Sequence, residues 1–157
     1  MVRKLAIVVS VLAVVAIVFG GVFIAQGVSR TAQLKEAMRL EHITLGIETG
    51  EVEEGEVIDS AIEAEIAGDT VREHRHGIAP TYGELLGGEK FDATDPRQLS
   101  YAQALNLENY LYLAVMGFGL AQSVIASGVF MVITGIALGG TSAALLRLAR
   151  TCQTGLA

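Results

Sequence analysis

Cysteine and proline are scarce in this sequence, which has one Cys and two Pro among its 157 residues. A lone cysteine excludes an intrachain disulfide, so any folded part of the chain is stable without such a cross-link. The scarcity of proline leaves long stretches in which a helix can continue without interruption. Motifs of serine hydrolases, zinc proteases, P-loop proteins and thiol-redox proteins are also missing. These absences predict a protein that is not an enzyme and has no cofactor.

Charged residues are missing from two long runs, of 25 residues from Leu5 to Ser29 and 38 residues from Asn109 to Leu146. A membrane-spanning helix needs about 20 predominantly apolar residues. Two such runs exceed what the core of so short a soluble chain could bury, so each is predicted to span a membrane. A cleavable signal peptide is the competing interpretation of the first run, and Ala25-Gln26-Gly27 would suit its cleavage. Its apolar part is longer than the roughly 7–15 residues typical of signal peptides, which favours a span.

The acidic residues are confined to the segment between these runs. All 17 lie between Glu36 and Glu108, and with the 7 basic residues of the connecting segment they leave it a net charge of −10. The other four basic residues lie beside the outer ends of the two runs, and they are Arg3, Lys4, Arg147 and Arg150. Because Lys and Arg near a span resist translocation, both ends are predicted to be cytoplasmic and the connecting segment extracytoplasmic. The acidic balance also predicts that nucleic acid is not a partner.

These patterns predict an all-α integral membrane protein of the plasma membrane. The two spans should form an antiparallel transmembrane hairpin whose helices extend outward and carry a small extracytoplasmic helical domain. The predicted divisions are residues 1–26 for the short cytoplasmic N-terminus and first span, 27–110 for the acidic outer domain, 111–138 for the second span and 139–157 for the basic cytoplasmic tail.

Helical spacing and breakers predict three helices in detail. The first should run from about Arg3 to Leu45, and the second from Glu56 to His76 with Gly77 as a left-handed cap. The third should begin after the N-cap Asp95 and continue to about Leu138, because Pro96 suits its first position and no breaker follows. The residues from Ala79 to Thr94 are predicted to be irregular.

The acidic segment Ile47–Glu54 is predicted to be a solvated loop. Its carboxylates suggest calcium binding as an alternative, but the alternating ligands and central glycine of a calcium loop are missing.

Small residues four positions apart recur in both spans, and such residues let helix backbones approach closely in lipid. One strongly polar amide, Gln122, lies among them and could bond across helices. The predicted helix–helix interface residues are Ala16, Gly20, Gly117, Gly119, Ala121, Gln122, Ser123, Ser127, Gly135 and Gly139. Two interpretations remain open: an interface with another subunit, or packing within the hairpin.

Aromatic and histidine residues provide the remaining candidate sites. Tyr110 and Tyr112 lie where the second span should enter the bilayer, as membrane-interface anchors do. His42, His74 and His76 could in principle hold a metal or haem. Positions 74 and 76 do not share a helix face, and basic residues at a helix end stabilise its negative pole. The preferred prediction is therefore that no metal binds.

Three classes of function follow. The leading hypothesis is a non-catalytic membrane subunit, an assembly, scaffold or accessory component whose partners are membrane lipids and either other membrane protein subunits or further copies of itself. The first alternative is a module that senses an extracytoplasmic ligand. The second alternative is a metal- or haem-binding subunit of a redox complex. Cys152, in the predicted cytoplasmic tail, could carry a lipid, although an ordinary thiol is the preferred interpretation.

Overall fold

A computed structural model describes residues 2–44 and 53–154, with side chains described as far as Thr151. Its elements are all helices: α1 (Val2–Glu41), α2 (Ala61–Ile78), α3 (Tyr82–Leu86) and α4 (Pro96–Thr154). An isolated antiparallel bridge joins Thr44 to Val57, and the described residues form no β-strand. The predicted all-α class is therefore confirmed. Most of the predicted acidic loop and the side chain of Cys152 lie outside the described residues.

Two of the helices are long and apolar enough to cross a membrane. They are α1 and α4, and the most apolar 18-residue windows of these helices have mean hydropathies of 3.0 and 2.0 respectively. Only 11% of each 18-residue window is buried within the protein. A core helix of a soluble protein would bury most of such a window, so the exposed apolar surface indicates a membrane-embedded protein.

The chain divides into two compact units, to which both long helices contribute. The first, called here the hairpin unit, comprises Met1–Arg30 and Ala121–Ala157. The second, called the bundle unit, comprises Thr31–Leu120.

Within the hairpin unit, α1 and α4 pack antiparallel through small residues at every seventh position. The buried residues are Ala6, Ala13, Gly20 and Gly27 on α1, and Ala121, Gly128, Gly135 and Ser142 on α4. A seven-residue repeat corresponds to 3.5 residues per turn, the period of a left-handed coiled coil. This repeat keeps one face of each helix against the other along the whole unit.

The glycines of this contact bring the two backbones close together. A Cβ atom added at Gly20 would lie 2.6 Å from the carbonyl oxygen of Gly128, and one added at Gly135 would lie 2.9 Å from that of Ala13. Since real Cβ atoms do not approach oxygen so closely, these positions accept glycine alone unless the helices separate. Dispersion contacts along such a seam hold helices together in lipid, where the hydrophobic effect does not.

Ser142 joins the same two helices by hydrogen bonds. Its buried hydroxyl donates to the carbonyl oxygen of Ala6 at 2.8 Å, and its Oγ lies 2.6 Å from the Oγ of Ser10. The polar groups at this level of the hairpin are thereby satisfied inside the protein, as an apolar surrounding requires.

The bundle unit is built on the C-terminal part of α1, on α2 and on the N-terminal part of α4. Its main core consists of Met38, Ile58, Ala64, Ala67, Leu111, Ala114 and Phe118. A smaller cluster of Ala79, Leu85 and Tyr101 packs α3 against α4. Alanines on the inward face of α2 allow this short helix to lie close to its neighbours.

Four predicted helix boundaries were wrong, and the first two are the end of α1 and the start of α2. Helix α1 ends at Glu41 because His42 adopts a left-handed φ of 48°. Helix α2 begins at Ala61, five residues later than predicted, because the preceding residues are extended and Ile58 donates its N–H to the carbonyl of Ile43 at 3.0 Å. Ser60 and Glu63 then form a capping box that starts α2.

The predicted left-handed cap at Gly77 is also wrong. Helix α2 continues through Gly77 to Ile78, and the C-cap is Ala79 in an extended conformation. Between α2 and α4 the structure adds α3, which was predicted to be irregular. Thr81 caps its N-terminus, and Gly87 ends it with a left-handed φ of 58°.

The start of α4 is confirmed, but its predicted end is wrong. Asp95 Oδ1 accepts the backbone N–H of Arg97 at 2.8 Å, as an N-cap does. The helix continues past Leu138 to Thr154, so residues 139–154 of the predicted tail are helical. The glycines at 139 and 140 weaken a helix without ending it, because no residue beyond them requires another conformation.

Candidate functional site

A buried ion pair joins α2 to α4 in the bundle unit. Arg75 Nε donates to Glu108 Oε2 at 2.6 Å, and Arg75 Nη2 donates to Glu108 Oε1 at 3.4 Å. Both residues are less than one-tenth exposed. Two roughly parallel N–H···O bonds are the arrangement in which arginine holds a carboxylate most specifically.

Two further side chains complete this pair. Arg72 Nε donates to Glu108 Oε1 at 3.2 Å. Tyr101 accepts a hydrogen bond from Arg75 Nη1 through its hydroxyl, and the guanidinium carbon lies 5.0 Å from its ring centroid. Glu108 is thus shared by two arginines, and each of its oxygens has a donor.

This arrangement keeps both members of the pair charged. Burial by itself would raise the pKa of Glu108, but the hydrogen bonds and charges of Arg75 and Arg72 outweigh it and hold the pKa below its ordinary value of 4.5. The hydrogen bond to Glu108 raises the pKa of Arg75, although burial opposes the shift. The pair therefore acts as a structural clamp between α2 and α4.

Tyr112 lies against α2 and does not stand apart from the bundle unit. Its hydroxyl donates to Asp69, and the Arg72 guanidinium carbon lies 4.6 Å from its ring centroid. A Cβ atom at Gly68 would lie 3.3 Å from the ring, which therefore packs directly on the α2 backbone. Tyr110 is partly buried beside Glu41. The role of these tyrosines as membrane-interface anchors stays a prediction.

An open groove of about 640 Å³ runs between α2 and α4 in the bundle unit. It is lined by Thr70, Val71, Glu73, His74, Ser100, Gln103, Ala104 and Leu107. A smaller groove of about 330 Å³ shares Gln103 and Leu107 and adds Glu41, Ile43, Asn106 and Tyr110. The lining of the larger groove is mostly apolar, and two acidic side chains, Glu73 and Glu41, line the larger and the smaller groove respectively. These dimensions and this lining suit a small apolar or cationic ligand.

The structure does not bring the three candidate histidines together. His42 follows the end of α1, His74 lines the groove, and His76 Nε2 lies 3.2 Å from Arg75 Nη2. Within residues 2–44 and 53–154, no three His, Cys, Asp or Glu side chains lie close enough to hold a metal ion. The redox alternative therefore gains no support from the described side chains.

The predicted interface residues fall into two groups. Several lie within the protein: Gly20, Ala121 and Gly135 are buried in the α1–α4 contact, Ala16 and Gly139 are partly buried, and Gly117 faces Leu34 of α1. These residues serve packing between α1 and α4.

The second group lies on the exposed surface of α4. It consists of Gly119, Gln122, Ser123 and Ser127. A Cβ atom added at Gly119 would meet nothing within 4 Å, and the Ser127 hydroxyl donates to the Ser123 carbonyl of its own helix at 2.8 Å. The assignment of this group to an interface with another subunit stays a prediction.

Sequence reasoning missed the Arg75–Glu108 clamp and much of the seven-residue repeat along the α1–α4 contact. The sequence does indicate this contact, because the small residues Ala6, Ala13, Gly20 and Gly27 repeat every seven residues. The clamp had a weaker indication: Tyr101 and Glu108 are seven apart on one helix, and Arg72 and Arg75 are three apart on another. Both spacings place the two side chains on a common helix face.

No protein-family model, no curated protein and no solved structure matches the chain.

Proposed function

We propose that this protein is a non-catalytic membrane subunit, an assembly or accessory component whose hairpin unit is embedded in the bilayer. Its bundle unit acts outside the cytoplasm as a rigid acidic module. The observation that carries the proposal is the packing of the hairpin unit, where the buried residues among those whose side chains are described are small and many large apolar ones are exposed. Val14 is 61% exposed and Phe130 is 71% exposed, for example. Such a surface is stable in contact with lipid or with other apolar helices.

The hydroxyl groups of the hairpin unit support the same proposal. Thr134 donates to the carbonyl of Phe130 at 2.8 Å, and Thr141 donates to that of Ala137 at 2.9 Å. Bonds of this kind, within a single helix, satisfy a hydroxyl without water. An apolar helix surface with internally bonded hydroxyls is compatible with the hydrocarbon region.

The charge distribution supports the orientation. The basic residues Arg3, Lys4, Arg147 and Arg150 lie beside the two chain ends, whereas every acidic residue belongs to the bundle unit. The positive-inside tendency then places both chain ends in the cytoplasm and the bundle unit outside. We infer the plasma membrane as the location on the same grounds.

The exposed small residues of α4 support an interaction with another helix. Ser123 and Ser127 are exposed one turn apart, and small side chains there let a second backbone come close. The helix facing them would belong to another copy of this chain or to another membrane protein. The α1–α4 contact uses other positions and does not compete for them.

This interaction can be tested by native electrophoresis of the full chain extracted in mild detergent. Combined Ser123→Leu and Ser127→Leu substitution should dissociate the assembly, because bulk prevents the backbones from approaching. Combined Val129→Leu and Ile133→Leu substitution, at exposed apolar positions of the same helix, is the matched control and should not. A wild-type protein that migrates as a single hairpin, or a serine variant of unchanged assembly size, would contradict the proposal.

The groove of the bundle unit favours a second candidate function, the sensing of an extracytoplasmic ligand. If a ligand binds between α2 and α4, Ala104→Phe should fill the groove and abolish the protection from hydrogen exchange that the ligand gives α2. Exposed Glu65→Gln, on the same helix but outside the groove lining, should leave that protection unchanged. Protection that survives Ala104→Phe would exclude the groove as the ligand site.

A further inference from the structure

The two grooves of the bundle unit lie beside one row of side chains on α4. The larger groove is lined by α2 and α4, and the smaller one by α4, the end of α1 and the residue Ile43. Gln103 and Leu107 line both grooves, so the grooves are neighbours on the same helix. Residues three and four positions apart share a helix face. The row at this spacing consists of Ser100, Gln103, Leu107 and Tyr110.

This row continues the face of α4 that α1 covers. The core residues of α4 follow the same spacing of three and four, and they are Leu111, Ala114 and Phe118. They pack in one cluster with Met38 of α1. Leu107 is the next position in that series, but α1 ends at Glu41. Within the described residues, the row beyond this point has α2 at its side and no helix in the place of α1.

The length and lining of the row suit a helix. From Ser100 to Tyr110 it extends about 15 Å at roughly 1.5 Å per residue, which is about three helical turns. Val71, Ala104 and Leu107 are partly exposed and give the larger groove its apolar lining. A small ligand would occupy only part of this length. Helices pack by placing the ridges of one in the grooves of the other, and amphipathic helices bind apolar grooves in this way.

The charges beside the grooves indicate the kind of helix. Glu73 lines the larger groove and Glu41 the smaller one. Both residues are exposed, and neither forms an ion pair with a residue that the structure describes. The bundle unit has 17 acidic and 6 basic residues, a net charge of −11. It therefore attracts a basic partner, whereas a second copy of the same acidic unit would be repelled.

We propose that these two grooves bind a basic amphipathic helix of a partner protein. The apolar residues of that helix pack on Val71, Ala104 and Leu107, and its Lys or Arg side chains pair with Glu73 and Glu41. The inference rests on the proposed function of an assembly component. It goes further by assigning to the bundle unit a binding surface and a kind of partner. It uses none of the α4 positions proposed above for contact within the membrane.

The test uses the full chain in nanodiscs of phosphatidylcholine, with a designed helical peptide as the probe. The peptide, of about 18 residues, has leucine on one face and lysine on the opposite face. Hydrogen exchange of the α2 amides 70–78 measures binding on the protein itself, so peptide adsorbed to lipid does not contribute. The lysine peptide should slow this exchange, and a titration gives its affinity. The same peptide with glutamate in place of lysine should bind about tenfold more weakly or less.

Two double variants test the charges beside the grooves. Combined Glu41→Gln and Glu73→Gln substitution should weaken binding of the lysine peptide roughly fivefold, because each exposed ion pair contributes modestly. The matched control is combined Glu36→Gln and Glu65→Gln substitution. It removes the same charge from exposed positions of the same two helices outside both grooves. Its effect should stay below about twofold, because salt screens distant charges. Ala104→Lys, which places a cation in the lining, should abolish binding.

Each outcome distinguishes the helix site from its alternatives. Equal losses in the two double variants would show attraction to the overall charge and overturn the assignment of the grooves. Equal binding of the glutamate peptide would overturn the basic character of the partner. Protection by hexylammonium as strong as that by the peptide would indicate a site for small organic cations and overturn the helix as occupant.

Native electrophoresis of the wild type tests the proposed function separately. A protein that assembles but is not protected by the lysine peptide refutes this inference alone. A protein that is not protected and also migrates as a single hairpin refutes the proposed function as well.

Discussion

Replacement of Glu108 by glutamine removes the negative charge of the buried ion pair between α2 and α4 while keeping the shape of the side chain. Glu108 accepts hydrogen bonds from Arg75 and Arg72, and it is 6% exposed. The amide oxygen of glutamine could accept one of these bonds, but its NH₂ group would face a guanidinium donor. Arg75 would then be a buried cation with its hydroxyl partner Tyr101 and no counter-ion.

The loss of stability expected for Glu108→Gln follows from the missing counter-ion of Arg75. Removing one partner of a buried ion pair typically costs about 3–5 kcal/mol, because the remaining charge is desolvated without compensation. Arg72 is partly exposed and can turn to water, so the lower end of that range, about 3 kcal/mol, is expected. Replacing both partners, by Arg75→Met with Glu108→Leu, should cost much less because no charge is then buried.

Hydrogen exchange of the α2 amides in the full-length protein measures this change. A loss of about 3 kcal/mol corresponds to roughly 100-fold faster exchange through local opening. The exposed control Glu65→Gln, also on α2, should change exchange by no more than about 0.5 kcal/mol. If Glu108→Gln changes α2 exchange by less than about 1 kcal/mol, the ion pair does not hold α2 against α4.

The same variant predicts a pH dependence. The pKa of Glu108 is below 4.5 in the folded protein. The stabilisation that its charge gives the protein is therefore complete above the pKa of Glu108 in the unfolded chain, and it is lost as the pH falls through the lower pKa of the folded protein. The difference in the opening free energy of α2 between wild type and Glu108→Gln should therefore be constant near neutral pH and shrink below about pH 4.5. A difference that grows on acidification would contradict the assigned charge state.

Two other substitutions test the helix contact and the helix start. Gly20→Val should destabilise the hairpin unit by about 1–3 kcal/mol in detergent unfolding, because a Cβ there would lie 2.6 Å from the carbonyl oxygen of Gly128. Gly21→Val, where a Cβ would meet nothing within 4 Å, is the control, and equal effects at both positions would refute the close approach. Asp95→Ala should destabilise the first turn of α4 by about 1 kcal/mol, seen as faster amide exchange at Arg97, and unchanged exchange there would show that the cap contributes little.

The long helices could be predicted because their cause is local. Apolar runs without breakers determine α1 and α4, and the cap at Asp95 depends only on its immediate neighbours. The start of α2 was missed because tertiary contacts oppose helix formation there. Ile58 is buried in the core and bonded to Ile43, which keeps the residues before Ser60 extended.

The contacts between helices were harder to predict than the helices. A search for small residues four apart detects close approach on one helix, but two long antiparallel helices stay in contact through a repeat of seven. Gly20 and Gly135 belong to both the four-residue pattern and the seven-residue repeat, whereas Gly27 and Gly128 belong to the seven-residue repeat alone. The Arg75–Glu108 pair joins residues 33 positions apart, and its formation depends on where α2 begins, which no local pattern fixed.

Cysteine labelling of intact cells with a membrane-impermeant maleimide tests the membrane arrangement most directly. The wild type carries only Cys152, near one chain end, while Glu53→Cys adds a thiol to the acidic connecting segment. If the hairpin spans the bilayer with both chain ends in the cytoplasm, Glu53→Cys is labelled in intact cells and the wild type reacts only after permeabilisation. Labelling of the wild type from outside, or protection of Glu53→Cys in intact cells, would contradict this arrangement.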